Sequence, residues 1–209
     1  MTAEFRGGPG HRGPALVLFA LIASLAVIPL AATAADACSG AISLQPGWNL
    51  VSVPKKLAPG HDTGTIFSAV DTAGRSAWLF DGASGSWAAL LPDTPVRQLD
   101  GIFIFSRAAA TVPLVYACDP LQIPPVKKGY KGWNTFGFTG MTPATARDAL
   151  FSVQPVWVNT VGFNATTQQY DIAIVNGGSG EFSDSRLMEP MKGYWLYLSG
   201  PGDIAAIGV

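Results

Sequence analysis

Charge is scarce in this sequence. Only 13% of its 209 residues are Asp, Glu, Lys or Arg, and the formal net charge is −1. That balance gives no basic surface for nucleic acid or for an anionic membrane. Histidine is nearly missing as well: beyond His11 near the start, the chain has only His61, in "PGHDTG". A Ser-His-Asp arrangement would need His61 as its base. The serines of "GASGSW" and "GGSGEF" do not complete G-x-S-x-G, because Ser86 and Glu181 fill its final position. The short-spaced His/Cys groups that zinc needs are absent, and so is a nucleotide-binding motif. The expectation is a chain without catalysis and without a cofactor.

Acids and oxygen ligands are present but unpatterned. Asp81, Asp100, Glu181, Asp184 and Glu189 are the carboxylates from which a glycosidase pair could be drawn; turn and surface duty is the reading preferred here. Asn176, Glu181 and Asp184 in "NGGSGEFSDS" offer hard oxygens of the kind calcium takes. Their spacing is not that of an EF-hand, and the stretch reads as a flexible Gly/Ser loop.

Long hydrophobic runs are limited to one. "MTAEFRGGPGHRG", with Arg6 and Arg12, precedes an apolar run from Pro14 to Ala32, followed by the small-x-small site Ala32-Thr33-Ala34. That order reads as a secretory signal peptide over residues 1–34, with an uncleaved anchor as the alternative. After cleavage no stable membrane span is expected, since no second run of about 18 apolar residues follows. The expected location is outside the cell or on its surface, or the periplasm of a double-membraned bacterium. Removing residues 1–34 leaves 11 basic and 13 acidic residues.

Cysteine is limited to Cys38 and Cys118. In an exported chain an even pair reads as a disulfide. Two rivals stay open: lipidation of Cys38, although Ala35, Asp36 and Ala37 lack the large apolar residue that such a site carries, and a pair of free thiols.

What is abundant is internal similarity. "GWNLVSVP" starts at Gly47 and "GWNTFGFT" at Gly132, an offset of 85 residues. "IFS" at Ile66 matches "LFS" at Leu150, an offset of 84. Phe80-Asp81 followed by Trp87 matches Phe163-Asn164 followed by Tyr170, an offset of 83. "LDGIFIF" from Leu99 matches "MKGYWLY" from Met191, an offset of 92. The final jump places an insertion of about nine residues around "VNGGSGEFSDSR". Matches in one order identify a tandem duplication.

Each copy parses alike. "ISLQPGWNLVSVP" reads as two strands around the Pro46-Gly47 turn. A short helix follows: in "TPATARDALFS", Thr142 is the expected N-cap and Pro143 the first helical residue; "DTGTIFSAV" is a weaker candidate. "AWLFDGASGSWAAL" and "NTVGFNATTQQYDIAI" read as hairpins. "GIFIFSR" with "TVPLVY", and "GYWLYLS" with "DIAAIGV", are the expected closing strand pairs. The fold class is mainly β: two tandem homologous repeats, sandwich- or barrel-like, each with about six short strands and one short helix. The boundaries are 35–118 for repeat 1, 119–130 for a linker containing "KKGYK", and 131–209 for repeat 2.

These motifs resemble a β-repeat of secreted and cell-surface proteins of archaea, methanogens among them, and of some bacteria. The resemblance rests on "GWNLVSVP", the aromatic hairpin and "GYW", and covers nearly all of residues 41–209. It implies a structural or adhesive surface module without an assigned activity. Copy one departs from it with "GIFIF" in place of "GYW", and copy two with "GWNTFGF" in place of "GWNLVSVP".

Recurrence at matching positions assigns Trp48, Trp133 and Trp195 to packing. Trp87 and Tyr170, in hairpins with one face open, are the candidate ligand-stacking residues. Asn164 opens the sequon Asn164-Ala165-Thr166. The sequence therefore predicts an exported structural or adhesive module, with a carbohydrate-binding module as the alternative. The expected partners are surface glycans or other cell-surface proteins, not nucleic acid.

Overall fold

The computed structural model describes residues 2, 38–118 and 123–207. Apart from Thr2, the signal segment lies outside the described residues, as do positions 119–122 of the expected linker. The described residues of both halves belong to one compact unit, Ala34–Val209.

The first half holds β1 (Ser39–Leu44), β2 (Gly47–Val51), β3 (Ala77–Asp81), β4 (Ser86–Leu90), β5 (Ile102–Ser106) and β6 (Ala110–Val115). β2, β5, β3 and β4 form one antiparallel sheet in that order, while β1 and β6 pair separately. The second half holds β7 (Val126–Gly129), β8 (Gly132–Gly137), β9 (Ala144–Thr145), helix α1 (Ala146–Ala149), β10 (Trp157–Asn164), β11 (Gln169–Tyr170), β12 (Ile174–Val175), β13 (Leu187–Met188), β14 (Gly193–Leu198) and β15 (Gly202–Ala205). Its main sheet runs β8-β14-β10-β11, with β12 also on β10; β7 pairs β15, and β9 pairs β13. The protein is thus mainly antiparallel β.

The Gly-Trp-Asn triplets have a local cause. Gly47 and Gly132 adopt φ of 102° and 101°, which the missing Cβ permits. Two residues on, Asn49 folds its side chain back: Oδ1 accepts from the Gln45 N–H, and Nδ2 donates to the Gln45 and Gly47 carbonyls. Asn134 makes the same three bonds, to Tyr130 N–H, Tyr130 C=O and Gly132 C=O. Both asparagines are buried. Each amide pins a sharp turn that aims the following apolar strand into its sheet.

Alternation then builds two aliphatic cores. Ile102 and Ile104 of β5 join Ile42, Leu44, Val112 and Leu114 from β1 and β6. Tyr194, Leu196 and Leu198 of β14 join Phe136, Leu150, Trp157 and Ile204. The halves interlock. Leu99, from the first half, lies in the second core, and Met191, from the second half, packs against the first. Both hold left-handed φ, 67° and 60°. The Met191 carbonyl accepts from Ser52 N–H at 3.0 Å, and the Leu99 carbonyl from Gly137 N–H at 2.9 Å. A disulfide joins Cys38 to Cys118 across the ends of the first half, with Cα atoms 5.7 Å apart.

Several expectations need correction. Among the described residues no sheet closes into a barrel, because the β2 edge is covered by a turn of the other half: the Gln168 side chain bonds Trp48 N and O. β1 pairs β6 and not β2, since the glycine and asparagine turn carries the chain out of one sheet and into the next. Likewise β5 pairs β2 and β3, so "GIFIF" and "TVPLVY" are not partners. The second half has nine strands, not six. In the first half the expected helix is a 3-10 turn, Gly64–Phe67. In the second, α1 starts three residues late and is capped by Thr145, whose Oγ1 accepts from Asp148 N–H at 3.2 Å. Ala144 and Thr145 are held in β9 by β13, a partner that the inserted segment supplies. "KKGYK" is not a solvated linker throughout: Lys127 and Lys128 lie in β7, and Lys127 Nζ bonds Asp100 Oδ1 at 3.0 Å.

Candidate functional site

Strand alternation sends a second set of side chains to the face opposite each aliphatic core. From β2, β3, β4 and β5 these are Trp48, Trp78, Phe80, Trp87, Phe103 and Phe105. From β8, β10, β11 and β14 they are Trp133, Val161, Phe163, Tyr170, Trp195 and Tyr197. The two aromatic faces meet. Phe80 lies 5.0 Å from Trp195 and Phe103 lies 5.7 Å from Phe163, both edge-to-face; Phe103 and Trp195 are 6.2 Å apart across the join. Trp87 adds edge contacts to Phe80, Phe103 and Trp195. Edge-to-face contact is the arrangement that ring quadrupoles favour, at about 0.5–1.5 kcal/mol per pair beyond burial.

The rings do not cover one another fully. Trp87 is 45% exposed, Trp133 44% and Tyr170 58%. They border two adjacent hollows. One, of about 630 Å3, is lined by Trp48, Trp78, Trp87, Phe103, Phe163, Gln168 and Tyr170. The other, of about 450 Å3, is lined by Phe80, Trp133, Val161, Tyr170 and Trp195. Tyr170 borders both, so the hollows form one aromatic groove. No ionisable group other than the Tyr170 phenol lines it. The Gln168 amide is already engaged: Oε1 accepts from Trp48 N–H at 2.7 Å, while Nε2 donates to the Trp48 and Ala165 carbonyls.

The sequence therefore singles out Trp87 and Tyr170 as open rings, and the structure brings both to this groove. It moves Trp133 out of the core, because Trp133 projects from the face of β8 opposite Asn134 and Phe136. Trp48 and Trp195 are half-buried in the ring cluster. The fully buried tryptophan is Trp157. Trp78, Phe103 and Gln168 were not expected at a site. A signal for the first two exists: in "GIFIF", "YWLYL" and "WLF", aliphatic and aromatic residues tend to sort onto alternate positions, marking two apolar faces rather than one.

The other candidates are scattered. His61 lies in an exposed loop. Asp81 sits in the β3–β4 turn, its carboxyl held below the usual range by the Ser84 hydroxyl and the Ala83 N–H. Asp100 pairs with Lys127. Asp184 is buried against Arg147, which holds its carboxyl low. Asn176 Nδ2 donates to the Gln154 and Trp157 carbonyls. Glu181 caps no cluster, and the Glu189 backbone N–H donates to Tyr194 Oη; burial raises the Tyr194 phenol. Among the described residues no group of three or more His, Cys, Asp or Glu is placed to hold a metal ion. Asn164 ends β10, where its Oδ1 accepts from the N–H groups of Thr166 and Thr167. No helix of the described residues is long and apolar enough to cross a membrane. Comparison with known proteins finds no family model, no curated protein and no solved structure that matches this chain.

Proposed function

We propose that the chain is an exported, non-catalytic adhesive module of the cell surface, formed by duplication of a β-repeat, with the aromatic groove as its contact surface. The observation that carries the reading is the groove itself, an uncharged aromatic surface left open to solvent on a small β protein. Duplication is supported by the registers. Trp48 pairs Phe105 and Trp133 pairs Tyr197; Phe80 pairs Trp87 and Phe163 pairs Tyr170. These pairs differ by the same 85, 92 and 83 residues that separate the sequence blocks. The two hollows are then counterparts: Trp48, Trp78, Phe103 and Phe163 in one answer to Trp133, Val161, Trp195 and Phe80 in the other. A disulfide suits export.

Carbohydrate binding is the second reading, favoured by the joint exposure of Trp87 and Tyr170. The test is retention of the exported protein on immobilised surface glycans and surface proteins, compared with a Trp87→Ala/Tyr170→Ala variant. Retention that the double substitution abolishes supports the reading. Retention indifferent to it removes the groove from the function.

A further inference from the structure

The hydrogen-bonding inventory of the groove is one-sided. Five indole N–H groups border it, from Trp48, Trp78, Trp87, Trp133 and Trp195, and none has a partner among the described residues. Those of the half-buried Trp48, Trp78 and Trp195 are not sealed from solvent, since Trp157 Nε1 is the only indole nitrogen among the buried unpartnered atoms. Indole donates and does not accept. The one side-chain amide, Gln168, is spent on Trp48 and Ala165. Apart from the Tyr170 oxygen, the side chains therefore offer donors and apolar rings, with no charge.

Ring geometry adds a second constraint. Trp87 meets Phe80, Phe103 and Trp195 at interplanar angles of 72°, 79° and 88°, and Trp133 meets Trp195 at 81°. Rings so crossed make crevices between them, not the coplanar platform on which a sugar chain lies flat.

We propose that the groove docks a proline-rich segment in the polyproline II conformation. The inference rests on the groove being the contact surface and names its occupant. A proline has a carbonyl to accept an indole N–H and no N–H of its own to strand against a ring. Polyproline II makes no internal hydrogen bonds, so its carbonyls are free, and it is already extended, so little entropy is lost on docking. Its pyrrolidine rings fit crevices between aromatic edges. Two hollows sharing Tyr170 suit roughly two turns, about six residues at three per turn. A sugar hydroxyl carries a donor at every position, and most would face rings without an acceptor. A charged peptide would lose hydration against an uncharged surface.

The experiment titrates the full chain with fluorescein-labelled decaproline and follows anisotropy. A Gly/Ser decapeptide, cellohexaose and chitohexaose are run in parallel, the sugars by calorimetry. Decaproline is expected to bind saturably and the other three not. Trp87→Ala and Trp133→Ala should each weaken it by at least about thirtyfold while the protein melts cooperatively as before. Tyr170→Phe, which keeps the ring, should weaken it less than Tyr170→Ala. If decaproline fails to bind, the proposal is wrong. If a hexasaccharide then binds and Trp87→Ala abolishes that, the occupant is a glycan and the groove remains the contact surface. If the groove variants change no binding of any kind, the surface reading falls too.

Discussion

Asn49 and Asn134 show how much one residue can fix. Each is buried and makes three bonds to main-chain groups that would otherwise lack partners at the turn. Asn134→Ala is expected to cost about 2–4 kcal/mol, from the lost bonds and the stranded turn groups, read as a lower urea midpoint at unchanged slope. Trp195 and Trp133 should separate in the same assay. Trp195 touches the rings of Phe80, Trp87, Phe103 and Trp133, so Trp195→Ala should cost about 2–4 kcal/mol. Trp133→Ala, on an exposed ring, should cost under about 1 kcal/mol. Equal losses would mean that Trp133 packs as the repeated triplet suggested. The triplet was legible as a recurrence, but recurrence alone does not say which face a side chain takes. Trp133 and Asn134 are neighbours, and strand alternation puts one outside and the other inside.

At the scale of elements, the hairpins β3–β4 and β10–β11 were readable because apolar alternation and turn residues lie close together in the chain. Pairings between distant segments were not: β1 finds β6 some 70 residues away, and β9 finds a partner only in the inserted segment. The anchor of that segment is Asp184, which accepts two bonds from the Arg147 guanidinium and a third from Gly177 N–H at 3.1 Å. Arg147 holds the carboxyl below its ordinary value, burial opposing. A group whose folded value is lowered adds stability above its unfolded value, about 3.9, and loses it as pH falls through the folded value. Asp184→Asn should therefore be less stable than the parent at pH 7, and the gap in urea midpoint should close as the solution is acidified below about pH 4. A gap unchanged on acidification would show that the ion pair contributes nothing and that packing alone explains the loss.

For the molecule as a whole, the sequence offsets anticipated two halves but not how they hold each other, because the contacts that join them come from single residues at loop ends. Leu99 and Met191 each enter or cover the core of the other half. Ser52 Oγ donates to the Lys192 carbonyl at 3.0 Å, and Tyr116 Oη, its phenol pushed up to about 12 by burial, contacts Met191 Sδ. The disulfide closes a span of 80 residues around the first half. Chain entropy gives such a closure about 4.5 kcal/mol, a large part of the roughly 5–15 kcal/mol that a domain has in total. A Cys38→Ser/Cys118→Ser variant should fall by up to that amount. The second half has no cysteine, yet the interlocked cores imply that it should lose stability alongside the first. Ile104→Ala provides the separate test, since Ile104 is fully buried in the first core and belongs to no contact in the second. In hydrogen exchange, the slowest amides of β10 and β14 should lose protection by the same factor as those of β2 and β5. Protection that falls in the first half and stays at the parental level in the second would show two independent folding units, and the exchange of Leu99 and Met191 would then be packing without cooperativity.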